Sequence, residues 1–547
     1  MAQRQLSVLY VGNLGSDRSA AFELYLKECF GTVQVADIDD LGALEYADAD
    51  VLVVDGEPIL YVDGMPQVQR VPEGLTVDTF PRPTVLIGGI GGAVSDAIGL
   101  KFGWHQGCVC LDHRAIFDEG TAHPVFAGPF EVPPIESTSI PSPDNFAHYA
   151  KVKNVPATVS TVDIALAQGN EEELQVEMKR ASAVGDRAAT LAAMQSLPTP
   201  GLVSTSAGFL DSPDCERICG GINMKAHDYV AIGRQGRFLQ WGFHADPSDM
   251  TPLGRALFAN VVAYIATFAG APVEALRVAQ SRDALAVSLS FADSGSEERI
   301  SQLFGGTAPA GIGVTSDEAL SWLVEHRPYV RHVGSGPAAH WQVDDDAMAL
   351  GPAIDSVTLL DGCLEQVEQG FDADRSRRLW KRYTHRPLDD VATERAWLEA
   401  NRGDMFFSDC AGYRWIVRSD LPSLRPTDVQ LTGNDQVRAT LNAHRDATVV
   451  RAWVKVHIIP GHYVYAPGAA DGVPVAVGLP DGSPFTLLDV VFPPSEDGHL
   501  SGYQFLELTL EGAGDVLTVL LAVQSCDEQS CQPPTTLTLH CPVTHED

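Results

Sequence analysis

Val85-Leu86-Ile87-Gly88-Gly89-Ile90-Gly91-Gly92 is the stretch on which the first half of the fold turns. Three large apolar residues in a row suit a strand covered on both faces, and the glycines after them suit a tight turn. The same alternation continues on either side of it. Residues 8–11 form a continuous apolar run closed by Gly12-Asn13-Leu14-Gly15. Residues 20–30 carry Phe22, Leu24, Tyr25, Leu26 and Phe30 at helical spacing. Residues 33–35 and 51–54 are further short strands, and Phe238-Leu239-Gln240-Trp241 is a late one before a helix over 252–268. Short buried strands separated by helices predict a parallel sheet wrapped by helices over residues 1–275.

The pattern then changes twice. Over 276–440 helical signals dominate. Thr315-Ser316-Asp317-Glu318 is a capping box, and 359–369, 375–383 and 392–401 carry helical spacing, which predicts a helical middle domain. Over 441–547 the period becomes two, as in Val449-Val450-Arg451-Ala452-Trp453-Val454, with Pro and Gly recurring every ten residues or so. That spacing predicts a β-sandwich.

The chain has 547 residues, 45% hydrophobic and 20% charged, which fits several packed cores and excludes a disordered or fibrous protein. Its 37 basic and 72 acidic residues give a net charge of −35, which repels phosphate backbones and argues against nucleic-acid binding. No apolar run is long enough to span a bilayer, and the first residues lack the features of a signal peptide. On those grounds alone the expected location is cytoplasmic.

Ten cysteines in a chain this long do not make a disulfide scaffold. One pair stands out. Cys526-Asp527-Glu528-Gln529-Ser530-Cys531-Gln532-Pro533-Pro534 lies between two predicted strands, and its four-residue spacer brings two thiols within bonding reach. Such a pair exchanges between dithiol and disulfide when accessible, and staples a hairpin when not. The spacing leaves both readings open. The acidic neighbours Asp527 and Glu528 raise rather than lower a thiol pKa.

The segment 449–543 resembles the N-terminal, immunoglobulin-like domain of the thiol:disulfide interchange protein DsbD. The resemblance rests on Pro460-Gly461-His462-Tyr463-Val464-Tyr465, on Gly502-Tyr503, and on Val523 through Pro534 with its Cys-x4-Cys-x-Pro-Pro pattern. It implies an immunoglobulin-like fold, a redox pair formed by Cys526 and Cys531, a thiol or thioredoxin-like protein partner and a periplasmic location. Tyr463 and Tyr465 read as core aromatics.

Residues 5–270 are similar to the flavodoxin-like fold of class I glutamine amidotransferases, including the ThuA-like branch. The matching segments are Gln240-Trp241-Gly242-Phe243-His244-Ala245-Asp246 and the glycine turn after Ile87. The resemblance places His244 and Asp246 on the His and Glu positions of a Cys-His-Glu triad, and Ile90 on the nucleophile position. An alkyl side chain attacks nothing, so the domain is expected to be non-catalytic, with a vestigial triad.

The remaining candidates have plain readings. Cys108, Cys110, Cys215 and Cys219 are four thiols whose spacings are not those of common zinc modules, so no metal is expected. No cofactor is expected either. The basic run Arg375-Ser376-Arg377-Arg378-Leu379-Trp380-Lys381-Arg382 reads as a face paired with acidic surface, and Asp344-Asp345-Asp346 as a solvated turn or helix start.

Overall fold

Strands buried at every position, or at all but one, must be covered on both faces, and four of them sit at the centre of the first sheet. In the computed structural model, which describes residues 5–44, 48–56, 60–62, 65–67, 70–103, 107–117, 121, 123–143, 146, 155–166, 201–207, 209, 212, 214–223, 225–274, 279–294, 297–334, 338–402, 405–417, 432–433, 436–446, 449–459, 461–469, 472–493, 495, 498–527 and 529–545, these are Ser7–Gly12, Val51–Val54, Thr84–Ile87 and Phe238–Trp241. With Thr32–Asp37 at one edge they run parallel. Helices Asp17–Cys29, Gly88–Ile98 and Pro252–Ile265 supply the cover. Tyr10 stacks on Phe22 at 5.5 Å between ring centres, and Phe258 meets both Phe22 and Trp241, which ties helices to strands.

The sheet does not stay parallel. Val230–Gln235 joins Phe238–Trp241 through Gly236-Arg237, and a turn this short joins only antiparallel strands. Cys215–Gly221, Arg114–Ile116, Thr158–Asp163 and Thr138–Pro141 then extend the sheet antiparallel. Among the described residues it is a mixed sheet of twelve strands, not the purely parallel one that the strand–helix alternation predicts. The chain divides into two compact units, one comprising 1–147, 155–206 and 215–273, and the other 148–154, 207–214 and 274–547.

In the second unit the capping box forms as the sequence predicts, with Thr315 opening helix Ser316–His326. Helices Val357–Gln369, Ala373–Thr384 and Val391–Asn401 follow. Their apolar faces meet in one core with Leu360, Leu364, Trp380 and Leu398. Two hairpins, Val330–Val333 with His340–Val343 and Met405–Ser408 with Arg414–Val417, are set among these helices.

The same unit ends in the period-two region, where Val437–Asp446, Val449–Ile458 and Gly502–Gly512 pair antiparallel along their length. Val516–Val523 and Thr535–His545 pair antiparallel too, and one parallel pairing of Thr535–His545 with Val437–Asp446 joins the two sets. A small sheet of His499–Leu500, Tyr463–Tyr465 and Ser525–Cys526 stands apart from them.

Candidate functional site

The C-terminal cysteines meet. Strand Ser525–Cys526 pairs with Tyr463–Tyr465, and the chain then turns so that Cys531 comes back opposite Cys526 in an antiparallel bridge. The two form a disulfide with Cα atoms 4.0 Å apart. The turn holds itself. Asp527 accepts from the backbone N–H of Gln529 at 2.8 Å and of Ser530 at 2.7 Å, and Gln532 N–H donates to Ser525 O at 2.8 Å. Desolvation alone would raise the Asp527 pKa, but these N–H groups and nearby His462 hold the carboxyl below its ordinary range.

The two sulfurs differ in access. Cys526 is 1% exposed, whereas Cys531 and the following Gln532, Pro533 and Pro534 are exposed. An incoming thiolate therefore has one sulfur to reach. Tyr463 and Tyr465, read from the sequence as core aromatics, are placed at the disulfide itself. Tyr463 pairs in register with Cys526, and the Tyr465 hydroxyl lies 4.0 Å from Cys531 Sγ. His499 packs on both rings, 4.2 Å from Tyr463 and 5.4 Å from Tyr465 between centres. Burial first, then the Tyr465 hydroxyl, push the Tyr463 pKa up, so the phenol stays protonated at neutral pH. Nothing in the run around His499 marks it in the sequence; pairing of its strand with Tyr463–Tyr465 brings it in.

The second set of residues lies at the end of strand Thr84–Ile87. The residue at the strand-to-helix elbow is Gly88, with φ +48, and it opens helix Gly88–Ile98. A Cβ at Gly88 would lie 2.5 Å from His244 Nδ1. Ile90, the position that the glycine pattern suggests for a nucleophile, is fully buried within the helix. The elbow therefore falls two residues earlier, on a residue with no side chain.

His244 is 2% exposed, and neither ring nitrogen has a hydrogen-bond partner among the described residues. Burial, reinforced by the charge of Arg18, pushes its pKa well below the ordinary histidine value, so the imidazole is neutral. Arg18 donates to the His244 carbonyl at 2.6 Å and forks onto Asp55 at 2.8 Å through both Nε and Nη2. Asp246 does not hydrogen-bond to the imidazole; its carboxylate accepts from Ser248 N–H at 2.8 Å and from the Ser248 hydroxyl. The residues named as a triad remnant are neighbours in sequence but not partners.

The other candidates resolve locally. Cys110 is disulfide-bonded, and Cys215 and Cys219 are buried. The Cys108 side chain lies outside the described residues. No group of three or more potential metal ligands occurs among the described residues. The basic run and the acidic triple pair with each other: Arg378 with Asp346 at 2.8 Å, and Arg382 with Asp344 at 2.5 Å. Asp344 also caps helix Asp345–Leu350. Arg378 and Arg382 are thus paired with acidic side chains, as the sequence reading expects.

No protein-family model matches the sequence, and no curated protein is a match to it. Among solved structures, part of the chain is similar to the N-terminal periplasmic domain of ScsB from Proteus mirabilis, with 17% identity, a TM-score of 0.17 and coverage of 20% of this chain and 47% of that one. It thus spans about half the length of that protein. A second is the Neisseria meningitidis DsbD N-terminal domain in the reduced form, at 15% identity, TM-score 0.15, and 19% and 85% coverage. A third is a putative GMP synthase protein from Thermoplasma acidophilum, at 11% identity, TM-score 0.21, and 48% and 94% coverage. No helix among the described residues is long and apolar enough to cross a membrane.

Proposed function

We propose that this protein is a thiol–disulfide redox partner acting through Cys526 and Cys531. One observation carries the reading: the pair forms a disulfide with one sulfur buried and the other exposed on a turn. A thiolate of a partner dithiol attacks Cys531 Sγ, and the sulfur–sulfur bond breaks towards Cys526, which leaves as thiolate and takes a proton. The second partner thiol then attacks the mixed disulfide and releases Cys531. Two electrons pass to this protein, and the partner ends as a disulfide. The partner class is a thioredoxin-like or other dithiol protein, and the compartment that suits this exchange is the periplasm. The organisation proposed is an amidotransferase-like α/β domain over 1–275, a helical domain over 276–440 and an immunoglobulin-like sandwich over 441–547.

The test is thiol trapping across graded redox buffers, read by mass. A reversible gain of two alkylated thiols, abolished in C526S and in C531S, supports the reading. A pair that stays oxidised at every potential while the chain remains folded overturns it.

A second reading has its own observation. The elbow residue beside His244 is Gly88, which has no side chain to act as a nucleophile, and this fits a non-catalytic ligand-binding or protein-interaction role for the first unit. Glutaminase or amidase activity that depends on His244 would overturn it.

A further inference from the structure

The two tyrosines at the disulfide belong to the small sheet, but the segment that delivers them is held by the helical region of the same unit. At the end of strand Val449–Ile458, His457 sits opposite Arg438 of strand Val437–Asp446. Both are buried, at 4% and 8% exposed. Arg438 Nη2 donates to Asp355 Oδ2 at 2.7 Å, and His457 Nε2 lies 2.8 Å from Asp283 Oδ2. An arginine also reaches each of those carboxylates: Arg282 at 2.7 Å from Asp355, and Arg327 at 3.1 Å from Asp283. Arg282 is further bound by Asp409 through its backbone N–H, Nε and Nη2. Removing one partner from a buried charge set of this kind is costly, so the strand end is fixed rather than loosely docked.

In sequence, only residues 459–462 lie between the end of that strand and Tyr463. Among these, His462 N–H donates to Ile459 O at 3.1 Å. Gly461 adopts φ +83, and a Cβ there would run into Val324 Cγ2 on helix Ser316–His326. The turn therefore lies directly on that helix, at a position where only glycine fits both the backbone angle and the space. The next residues are the tyrosines that flank Cys526 and Cys531.

We propose that the helical region is a positioning clamp for the disulfide. It fixes the 459–465 segment through the buried ion pairs and the Val324–Gly461 contact, and so sets how readily the Cys526–Cys531 bond is opened. Val324 and Gly461 are positioning residues. Loosening the contact frees the Tyr465 hydroxyl from its place 4.0 Å from Cys531 Sγ and lets the disulfide turn open, which speeds attack on the already exposed sulfur. The inference rests on the redox reading above, and it names that site's regulation.

The experiment uses the full chain and dithiothreitol, which is oxidised to its cyclic disulfide as the protein pair is reduced. The rate is read by maleimide trapping and mass, and the melting temperature is measured alongside. V324A, which removes part of the contact, is expected to be reduced about threefold faster, and G461A, which forces the turn off the helix, about tenfold faster. G461A/V324A is slower than G461A alone, because the smaller residue 324 leaves room for the new methyl. I300V trims the helical core at a residue outside the Val324–Gly461 contact; it lowers the melting temperature without changing the rate. Variants at 324 and 461 that are reduced at the wild-type rate, or an I300V that is reduced faster in step with its lower melting temperature, overturn the clamp while the redox reading stands. A wild-type disulfide that dithiothreitol leaves intact in the folded chain overturns both.

Discussion

Asp355 offers the most direct measurement of how the buried charges hold the second unit. Its carboxylate receives Arg282 and Arg438, each at 2.7 Å, and its side chain is 5% exposed. Desolvation alone would raise its pKa; the two guanidinium groups more than offset that and take it from 3.8 down to about 2. A carboxyl depressed by that much contributes about 2 kcal/mol to folding at neutral pH. The contribution is complete above the unfolded-state value near 4 and is lost as pH falls through about 2. About half of it, roughly 1 kcal/mol, is gone by pH 3.

D355N removes the titrating group and leaves both arginines short of a partner, so the variant is less stable at pH 7 by at least about 2 kcal/mol. Other carboxyls titrate alike in both proteins and cancel in the difference. Urea unfolding followed by tryptophan fluorescence is the assay, because Trp322, Trp341, Trp380, Trp397, Trp415 and Trp453 all lie in this unit. The stability gap between wild type and D355N should shrink by about 1 kcal/mol between pH 5 and pH 3. A gap that stays constant or widens over that range refutes the account of the network.

Other outcomes follow from single residues. G88A pushes a methyl into His244 at a left-handed backbone position, and should destabilise the first unit by about 1–3 kcal/mol in thermal melts; an unchanged melt contradicts the elbow geometry. H244L removes two buried nitrogens that have no partner among the described residues, at little cost. Wild type should also lose stability as pH drops below about 6.5, where the unfolded chain takes up a proton that folded His244 refuses, and H244L should lack that part of the slope between pH 7 and 5. Burial pushes Cys363 and Cys541 up to about 12, so peptide mapping after iodoacetamide at pH 8 should find both unmodified in the folded chain.

The parts of this fold that were legible in the sequence are those where one residue property decides. Runs of four apolar residues at 51–54 admit no face for water, and the Thr315–Glu318 box carries its own hydrogen-bond logic, so strand and helix start both fall where the pattern puts them. The turn in the mixed sheet was less visible. Gly236-Arg237 is an ordinary pair of residues, and only its position between two strands reverses the direction of the sheet. The five-residue glycine pattern at 88–92 fits an elbow in more than one frame. A positive φ is a property of the folded chain, and Gly88 rather than Ile90 takes it because the strand ends at Ile87.

The cysteine pair shows where motif reading stops and packing begins. Four spacer residues with two prolines beyond them predict a closed turn, and the turn closes. Which sulfur is exposed, and what stands over it, depends on contacts remote in sequence. His499 reaches the tyrosines by strand pairing, and Gly461 reaches Val324 across 137 positions of chain (461 − 324). Arg438 and His457 are buried cross-strand neighbours, and the groups that meet them, Asp355 and Asp283, arrive from the helical region. Those two aspartates do not interrupt any helical pattern, so nothing marks them in advance. Their role follows from the cost of burying an unpaired cation, and that cost makes the helical region part of the environment in which the disulfide turn is held.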